Sequence, residues 1–435
     1  MAAEENAFLQ SVKAHFEQMR DASVLSTIRQ KAWDRFISIG LPSRDENAFR
    51  SVSLRELYAA SFPCDNTHTP CPETIAQEIE KVLLPESRHS HVVFVNGVFC
   101  PHLSEMTALS SGSLVLTFSQ AMRSHGHFLH KHLLHAIKEE KDPFALLNLA
   151  LHPLGLFLYI APKHSISAPI QCIQIVTGEQ PYLCAPRIQL VLGAQAHVKW
   201  ISTHLFLEKP QPHCTLSLID FFLDESAHCE FIGHLSPLAS HWCLDTIRGH
   251  LKSHAVLKAL SVIGGSKATR QNIHMQCAGE NSEAQIKGLW MLSGFLHAHA
   301  HVLIDHIAPR TRSMQLFKGI LLDASQSSFE GKILVRQAAQ KTEAYQLNNN
   351  LILGKAALAH SRPYLEIFAD DVKASHGATF ARPDEAQLFY LKSRGIQEDL
   401  AQRLLMHGFY QEILDQIPYS LLRKTIETSI RGGEG

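Results

Sequence analysis

Residues 370–395 read DDVKASHGATFARPDEAQLFYLKSRG, and the character of the sequence changes within this stretch. From about residue 155 up to this stretch, apolar and polar residues alternate with a period of two, the pattern of half-buried β-strands. From Asp384 onward, apolar residues recur at helical spacing, and Asp384 and Glu385 suit the positive end of a helix dipole. We therefore predict a large β body, a short junction and a helical C-terminal segment.

The β body is predicted to begin near residue 155. Many short strands separated by polar turns with small residues indicate a sandwich, a barrel or a β-solenoid. The run from Asn348 to Asn350 favours the solenoid, in which polar side chains stack as ladders between coils. The strand-like runs are IQCIQIV (170–176), RIQLVL (187–192), HVKWIS (197–202), CTLSLIDFFL (214–223), CEFIGHL (229–235), HAVLKALSVI (254–263), EAQIKGLWML (283–292), HAHVLIDHI (299–307), MQLFKGILL (314–322), GKILVR (331–336), QLNNNLIL (346–353), AALAH (356–360) and YLEIFA (364–369).

The N-terminal third is predicted to be helical and mixed. Apolar spacing indicates helices over 5–20, 22–39 and 127–151. Between them, HVVFVNGVFCP (91–101) places Asn96-Gly97 between two strand runs, which predicts a hairpin with a type I′ turn. The predicted domains are therefore 1–154, mixed and helical, 155–372, the β body, and 373–435, helical.

Composition and short motifs exclude several classes of function. A net charge of −1 gives no bulk electrostatic attraction to nucleic acid or to an anionic membrane. GGSKAT (264–269) lacks the spacing of a P-loop, so we expect no bound ATP. The longest apolar run, 146–162, is short and interrupted, and no signal peptide is evident. The nine cysteines form no C-x-x-C pair, and we expect a cytosolic protein with buried thiols.

Histidines supply the candidate chemistry. His297, His299 and His301 alternate along a predicted strand, so their imidazoles share one face. They could contribute to a metal site, helped by the nearby His306, or form the polar face of a half-buried strand; spacing leaves both interpretations open. His376 lies between Ser375 and Gly377, where a histidine is more often a turn or interface residue than a ligand. The adjacent pair Asp370–Asp371 fits a strand exit and turn.

Longer motifs carry a family resemblance. GLPSRDENAFRSVSL (40–54), FVNGVF (94–99), HVLIDHIAPRTRSMQLFKGIL (301–321), FEGKILVRQAAQKTEAYQLNNNLIL (329–353) and LEIFADDVKASHGATFARPDEAQLFYLKSRGI (365–396) resemble those of the SufB/SufD family of iron–sulfur cluster assembly proteins. The SHGAT segment and the lack of any cysteine after Cys277 resemble the SufD branch. Phe49 and Ala374 depart from the family pattern, where tryptophan and cysteine are common.

The resemblance implies a right-handed parallel β-helix flanked by helical segments. It also implies a non-catalytic scaffold subunit of a SufB–SufC–SufD complex, supporting iron entry and nascent Fe–S cluster formation. A SufB-like paralogue would meet the end of the β-helix, and a SufC-like ATPase would bind the C-terminal helices and act on the interface mechanically. A homodimer would form where the SufB-like partner is absent.

The resemblance also implies site residues. His376 would be the iron or cluster ligand at the SufB interface. His297, His301, Asp305 and His306 match a recurrent pattern without an assigned role. The SufC docking region would include Leu388, Phe389, Tyr390 and Arg394. The alternatives are a histidine-rich, metal-dependent β-fold enzyme acting on a small molecule or sugar, and a purely structural stabiliser of the complex.

Overall fold

The structure, a computed structural model, describes residues 6–19, 24–43, 46–63, 72–109, 111–124, 126–152, 154–178, 180–207 and 212–432. The N-terminal part contains seven α-helices and three short strands among its described residues. The elements are α1 (Ala7–Gln18), α2 (Ser26–Ile39), α3 (Arg55–Ala59), α4 (Pro72–Val82), β1 (His91–Val95), β2 (Val98–Phe99), β3 (Leu114–Thr117), α5 (Phe118–Ser124), α6 (Gly126–Glu139) and α7 (Pro143–Leu151).

The central part is a parallel β-solenoid of about eight turns. Its strands are β4 (Leu156–Ile160), β5 (Ile170–Val176), β6 (Tyr182–Cys184), β7 (Arg187–Leu192), β8 (His197–Phe206), β9 (His213–Leu223), β10 (His228–Leu235), β11 (Leu238–Leu251), β12 (Val256–Ile263), β13 (Ser266–Cys277), β14 (Glu283–Leu292), β15 (His297–His306), β16 (Arg312–Leu321), β17 (Gln326–Val335), β18 (Thr342–Ile352), β19 (Leu358–Ile367) and β20 (Val372–Ala381). The chain ends with α8 (Glu385–Ser393), α9 (Glu398–Leu414) and α10 (Ser420–Gly432).

Successive strands alternate between two facing sheets. Sheet A has the order β2-β1-β5-β8-β10-β12-β14-β16-β18-β20, and sheet B has the order β19-β17-β15-β13-β11-β9-β7-β4-β3. Each solenoid strand pairs in parallel with the strand one coil away, as Glu283, Arg312, Glu343 and Lys373 show in sheet A. Those partners are about 30 residues apart, a typical repeat length for a solenoid.

One corner of the solenoid is built from the same turn in coil after coil. A residue with φ between 57° and 61° stands there each time, and its N–H donates to a carbonyl of the following coil. The next residue is small and buried, so the chain can turn tightly into the following strand. The left-handed residues are Gln195, Ser226, His254, Asn281, Arg310 and Lys341, followed by Ala196, Ala227, Ala255, Ser282, Thr311 and Thr342.

Three apolar clusters hold the parts together. The largest lies inside the solenoid and includes Trp200, Trp290 and Phe317. A second joins the N-terminal helices to the outer face of sheet B, where Trp242 packs. A third joins α9 and α10 to the outer face of sheet A, where Leu351 packs. Burial of apolar surface on both outer faces therefore fixes the two flanking segments against the solenoid.

Much of the sequence-based prediction is confirmed. The fold is mainly β, with a parallel solenoid and flanking helices. The predicted hairpin is β1 paired with β2, and Asn96 and Gly97 both have positive φ, as a type I′ turn requires. The strands predicted over 170–176 and 187–192 are β5 and β7.

Four local expectations were wrong. The stretch before Arg382 is not a junction, because its residues 372–381 form β20, which pairs with β18. AALAH and YLEIFA belong to one strand, β19. The polar segments at 238–251 and 266–277 are β11 and β13, which the period-two pattern missed. The helical region 127–151 is divided into α6 and α7, with Asp142 capping α7.

The limits of the β body differ slightly from those expected. β4 begins at Leu156, one residue inside the predicted boundary, and β20 begins at Val372, so this strand lies across the boundary at 372. The division of the chain into three domains stays a prediction.

Candidate functional site

The C-terminal end of the solenoid is open. β19 and β20 are the last strands of their sheets, so each has only one strand neighbour among the described residues. An unpaired strand edge presents N–H and C=O groups that can pair with another chain. Large apolar side chains are exposed at the same end, with exposed fractions of 50% for Leu358, 62% for Phe368 and 50% for Phe380.

His376 belongs to the inner face of this open end. In β18, Gln346 and Asn348 are buried, whereas Tyr345 and Leu347 are exposed, so even-numbered positions point inward. His376 is directly in register with Gln346, and residues in register on parallel strands share a face. The imidazole is nevertheless exposed, because no further coil covers it.

The interior beneath His376 is unusually polar. Gln346 Nε2 donates to Gln315 Oε1 over 2.8 Å, and Asn350 Nδ2 donates to Asn348 Oδ1 over 2.8 Å. All four side chains are at most 3% exposed. The hydrogen bond between Asn350 and Asn348 lies within β18 and is not a rung of the predicted ladder between coils. Asn349 faces outward and accepts a hydrogen bond from Thr379 of the next coil over 2.8 Å.

Asp370 and Asp371 lie in the turn before β20. The Asp371 N–H donates to Gln340 Oε1 over 3.0 Å, and its carbonyl accepts from the Lys341 N–H over 2.6 Å. These contacts continue the corner pattern of the preceding coils, in agreement with the predicted place of the pair in a turn.

The histidines of β15 share a face as expected. Ala298 and Ala300 belong to the interior cluster, so His297, His299 and His301 point to the outer side of sheet B. His299 Nδ1 is 2.7 Å from Ser328 Oγ, and His301 Nδ1 is 3.1 Å from Asn272 Oδ1. Burial lowers the pKa of His299 to about 3 and that of His301 to about 4, which keeps both rings neutral near pH 7.

Asp305 and His306 have other partners. The Asp305 carboxylate accepts two hydrogen bonds from the Arg336 guanidinium, over 2.9 and 3.1 Å. His306 is fully buried, and its two ring nitrogens lie 2.7 Å from Thr311 Oγ1 and 2.9 Å from Ser313 Oγ. Burial lowers the pKa of His306 to about 4.

The side chains of the other metal-ligand candidates, His297, His301, Asp305 and His306, thus do not converge on one point. In the part of the chain that the structure describes, no group of three or more His, Cys, Asp or Glu side chains is arranged to hold a metal ion. The ligand roles of His297, His301, Asp305 and His306 stay predictions.

Sequence reasoning missed a small polar cavity of about 10 Å³ on the outer face of sheet B. It is lined by His299, His301, Glu330, His360 and Arg362, with the N-terminal segment around Ala48 beside it. That volume suits about one water molecule. Only strand register, which brings residues about 30 positions apart together, reveals this cluster.

α8 presents the predicted docking residues to solvent. Phe389 is 75% exposed and Tyr390 is 56% exposed. The Arg394 guanidinium carbon lies 5.2 Å from the centre of the Tyr390 ring, and Leu388 is half-buried. α8 contains no buried residue, so Phe389 and Tyr390 form an exposed apolar patch in the part of the chain that the structure describes.

Fold and site together define a class: a parallel β-solenoid that ends in an open coil and is followed by a helical segment with exposed aromatic residues. Two family models cover nearly the whole sequence, the SufBD protein N-terminal region over 5–172 and the SUF system FeS cluster assembly, SufBD core domain over 175–409. The chain belongs to the SufBD family of iron–sulfur cluster assembly proteins.

Relatives agree with this assignment. The chain is 30% identical to an iron–sulfur cluster assembly SufBD family protein of Synechocystis, over 92% of this chain and 89% of the relative. It is 28% identical to the iron–sulfur cluster assembly protein SufD of Escherichia coli, over 89% of this chain and 88% of the relative. The SufD protein of Bacillus subtilis is 21% identical over 96% of both chains. The resemblance found in the motifs is therefore confirmed.

No helix among the described residues combines the length and apolar character needed to span a membrane.

Proposed function

We propose that the chain is a SufD-like scaffold subunit of a SufB–SufC–SufD complex, in which it supports iron entry and nascent cluster formation without turnover of its own. The observation that carries this proposal is the open last coil, with His376 on its inner face in register with the buried Gln346. A homologous solenoid of a SufB-like partner would pair with β19 and β20 and cover the exposed apolar side chains.

Iron and the growing cluster are the cargo of this site. A neutral imidazole is a borderline ligand that binds iron, and a partner thiolate opposite it would complete a mixed site. The role of His376 as ligand is the part of the proposal that concerns this chain directly. A cytosolic location agrees with the seven described cysteines, which are all free thiols and mostly buried.

A SufC-like ATPase would dock on the C-terminal helices. α9 and α10 pack against the outer face of sheet A, where Leu351 of β18 joins their apolar cluster. The Lys318 ammonium also bonds the Phe409 carbonyl over 3.0 Å and the Glu412 carboxylate over 2.5 Å. Because β18 pairs with β20, a pull on these helices acts within one strand of His376 and could open the interface to metal.

The decisive experiment is anaerobic Fe–S reconstitution of the full chain with SufB-like and SufC-like partners. We expect His376→Ala to assemble normally but to lower the rate of cluster formation more than about tenfold, because one ligand is lost. Ser375→Ala, on the outer face of the same strand, is the matched control and should retain the parent rate. Full cluster formation by His376→Ala would contradict the ligand role and favour a purely structural stabiliser.

Docking of the ATPase is tested separately. We expect Phe389→Glu to weaken binding of the SufC-like partner by about tenfold or more, since it places a charge in a predicted apolar contact. Phe295→Glu removes a side chain that is 82% exposed on a solenoid corner and should leave binding unchanged. Equal affinities for both variants would count against α8 as the docking helix.

A further inference from the structure

Gln315 and Gln346 form a buried ladder of two amides inside the solenoid. They are in register on β16 and β18 and are 1% and 3% exposed. The space for the second amide depends on Gly331 of sheet B, because a Cβ at that position would lie 2.1 Å from Gln346 Nε2. The glycine therefore allows the Gln346 side chain to occupy the interior.

The hydrogen bonding of this ladder is incomplete at Gln346, the rung nearest the open end. Gln346 Nε2 donates to Gln315, whereas Gln346 Oε1 is buried and has no hydrogen-bond partner among the described residues. A buried carbonyl oxygen without a donor destabilises the fold, so such an atom in a folded protein calls for an explanation.

The next rung of the ladder is His376. Adjacent strands in a sheet lie about 4.8 Å apart, so side chains in register on one face are direct neighbours. The inward positions of β20 are Val372, Ala374, His376, Ala378 and Phe380. His376 is the one among these five whose side chain can donate a hydrogen bond.

We propose that Gln346 is a positioning residue for His376. Its Oε1, which has no partner among the described residues, accepts the N–H of one ring nitrogen once the exposed His376 ring turns toward the interior, and this contact fixes the tautomer of the imidazole. The other nitrogen then keeps its lone pair and faces out of the open end, as metal-binding histidines require. A partner solenoid that covers the open end excludes water and leaves Gln346 as the acceptor for this N–H.

The purpose of this contact rests on the proposed function, but the first test measures only the tautomer of His376 and does not depend on that function. The full chain is labelled with ¹⁵N-histidine, and long-range ¹H–¹⁵N correlations report the tautomer of each ring near neutral pH. His376 is identified by the signal that disappears in His376→Ala. The tautomer ratio is then compared in the parent, Gln346→Met, Gln346→Glu and Gln315→Met.

Gln315→Met is the matched control, because it removes an equally buried amide and breaks the same Gln–Gln hydrogen bond but leaves the acceptor of Gln346 in place. We expect Gln346→Met to change the tautomer ratio of His376 by about threefold to tenfold, the range that one neutral hydrogen bond supports. Gln346→Glu keeps an acceptor and should retain the parent tautomer in spectra taken at a pH where the imidazole is neutral. An unchanged ratio in Gln346→Met, or the same change in Gln315→Met, would overturn the proposal.

Reconstitution with the partners distinguishes the positioning role of Gln346 from the ligand role of His376. If His376 is a ligand and Gln346 positions it, Gln346→Met slows cluster formation by about tenfold, whereas Gln346→Glu keeps the parent rate. A shifted tautomer together with full cluster formation in His376→Ala would leave the positioning role intact and reject the ligand role. A slow His376→Ala variant with an unshifted tautomer in Gln346→Met would reject the positioning role alone.

Discussion

Arg270 is the residue that ties the N-terminal part to the outer face of the solenoid. Its guanidinium bonds the Asp142 carboxylate over 2.5 Å, and both side chains are at most 5% exposed. The guanidinium carbon also lies 4.0 Å from the centre of the Phe49 ring. Asp142 in turn caps α7 through the Phe144 N–H, over 2.9 Å. One buried ion pair therefore joins β13, α7 and the 40–54 motif.

Replacing Arg270 with methionine should lower the free energy of unfolding by about 3–5 kcal/mol, because it leaves the Asp142 carboxylate buried and unpaired. Urea unfolding followed by tryptophan fluorescence would measure the loss, since Trp242 lies in the same interface.

The control for this prediction is Lys373→Met. Lys373 pairs with Glu343 over 3.3 Å, but its side chain is 75% exposed, so its removal should cost less than about 1 kcal/mol. If both variants lost equal stability, the buried pair would not be the main link between the two parts.

His306 makes the fold sensitive to acid. Burial lowers its pKa in the folded chain to about 4, below the ordinary value of 6.5. The unfolded chain therefore binds a proton first as the pH falls, so the contribution of His306 is complete above pH 6.5 and is lost towards pH 4. The loss reaches about 1.4 kcal/mol per pH unit for one such group.

A His306→Gln variant should lose less stability than the parent on acidification across that range, since glutamine does not titrate. The measurement is the midpoint of urea unfolding at a series of pH values between neutral and mildly acidic. The parent will still be acid-sensitive, because His274 and His301 also have pKa values lowered to about 4. Parallel pH profiles for the two chains would contradict the assignment.

At the scale of elements, β20 shows where sequence reasoning stopped. Apolar inner positions of a covered strand reveal a period of two, as EAQIK does at the start of β14. The inner positions of β20 include two alanines and His376, because this strand faces an open end instead of a packed core. A strand at an open end therefore lacks the apolar pattern that identifies strands packed within the chain.

β11 and β13 were missed for a different reason. Their outer faces lie under the N-terminal helices, where Arg270 of β13 is buried against Asp142. Asp245 of β11 is buried on the inner face and accepts a hydrogen bond from Ser217 of the neighbouring strand β9. Tertiary partners of this kind leave no local signature. By contrast, the Asn96-Gly97 turn and the Gly40 end of α2 are set by backbone conformation, and both were predicted.

The residues of the candidate site also fall into two groups, those that the sequence pointed to and those that only the structure brings together. Motif resemblance identified His376 and the exposed aromatics of α8, because these residues lie in continuous segments. Gln346, about 30 residues earlier in the repeat, becomes a neighbour of His376 only through the register of β18 and β20.

Two glycines in different elements should respond to alanine in opposite directions. At Gly354, between β18 and β19, an added Cβ would lie 2.2 Å from the backbone oxygen of Asp323, which cannot move without distorting the neighbouring coil. At Gly408, in α9, an added Cβ would meet nothing within 4 Å. We expect Gly354→Ala to destabilise by more than about 2 kcal/mol and Gly408→Ala to stabilise by about 0.5–1 kcal/mol.

Thermal unfolding of the two variants beside the parent would test this pair. The comparison is internally matched, since both substitutions add the same methyl group. A lower unfolding temperature for Gly408→Ala would show that α9 is not a free helix surface at this position, and an unchanged Gly354→Ala would show that the corner can relax.

At the scale of the whole molecule, other segments pack on the outer faces of both sheets and extend the first coils, whereas the last coil is open. The N-terminal helices cover sheet B, α9 and α10 cover sheet A, and β1 with β3 extend the first coils. Among the described residues the last coil has no such cover, and its strand edges and apolar side chains are open to contact with another chain. In the absence of a SufB-like partner, a second copy of this chain offers the same complementary edges.

The isolated chain should therefore self-associate in a concentration-dependent manner through β19 and β20. Phe380→Lys should weaken this association by about tenfold or more, because it replaces apolar surface buried at the interface by a charge. Sedimentation velocity over a range of concentrations measures the effect. Phe295→Lys is the matched control, since Phe295 is 82% exposed but lies on a corner before β15, away from the open end. If Phe295→Lys dissociated the homodimer and Phe380→Lys did not, the two copies would meet at another surface. If the open end is the interface, addition of the SufB-like partner should replace the homodimer by a heterodimer.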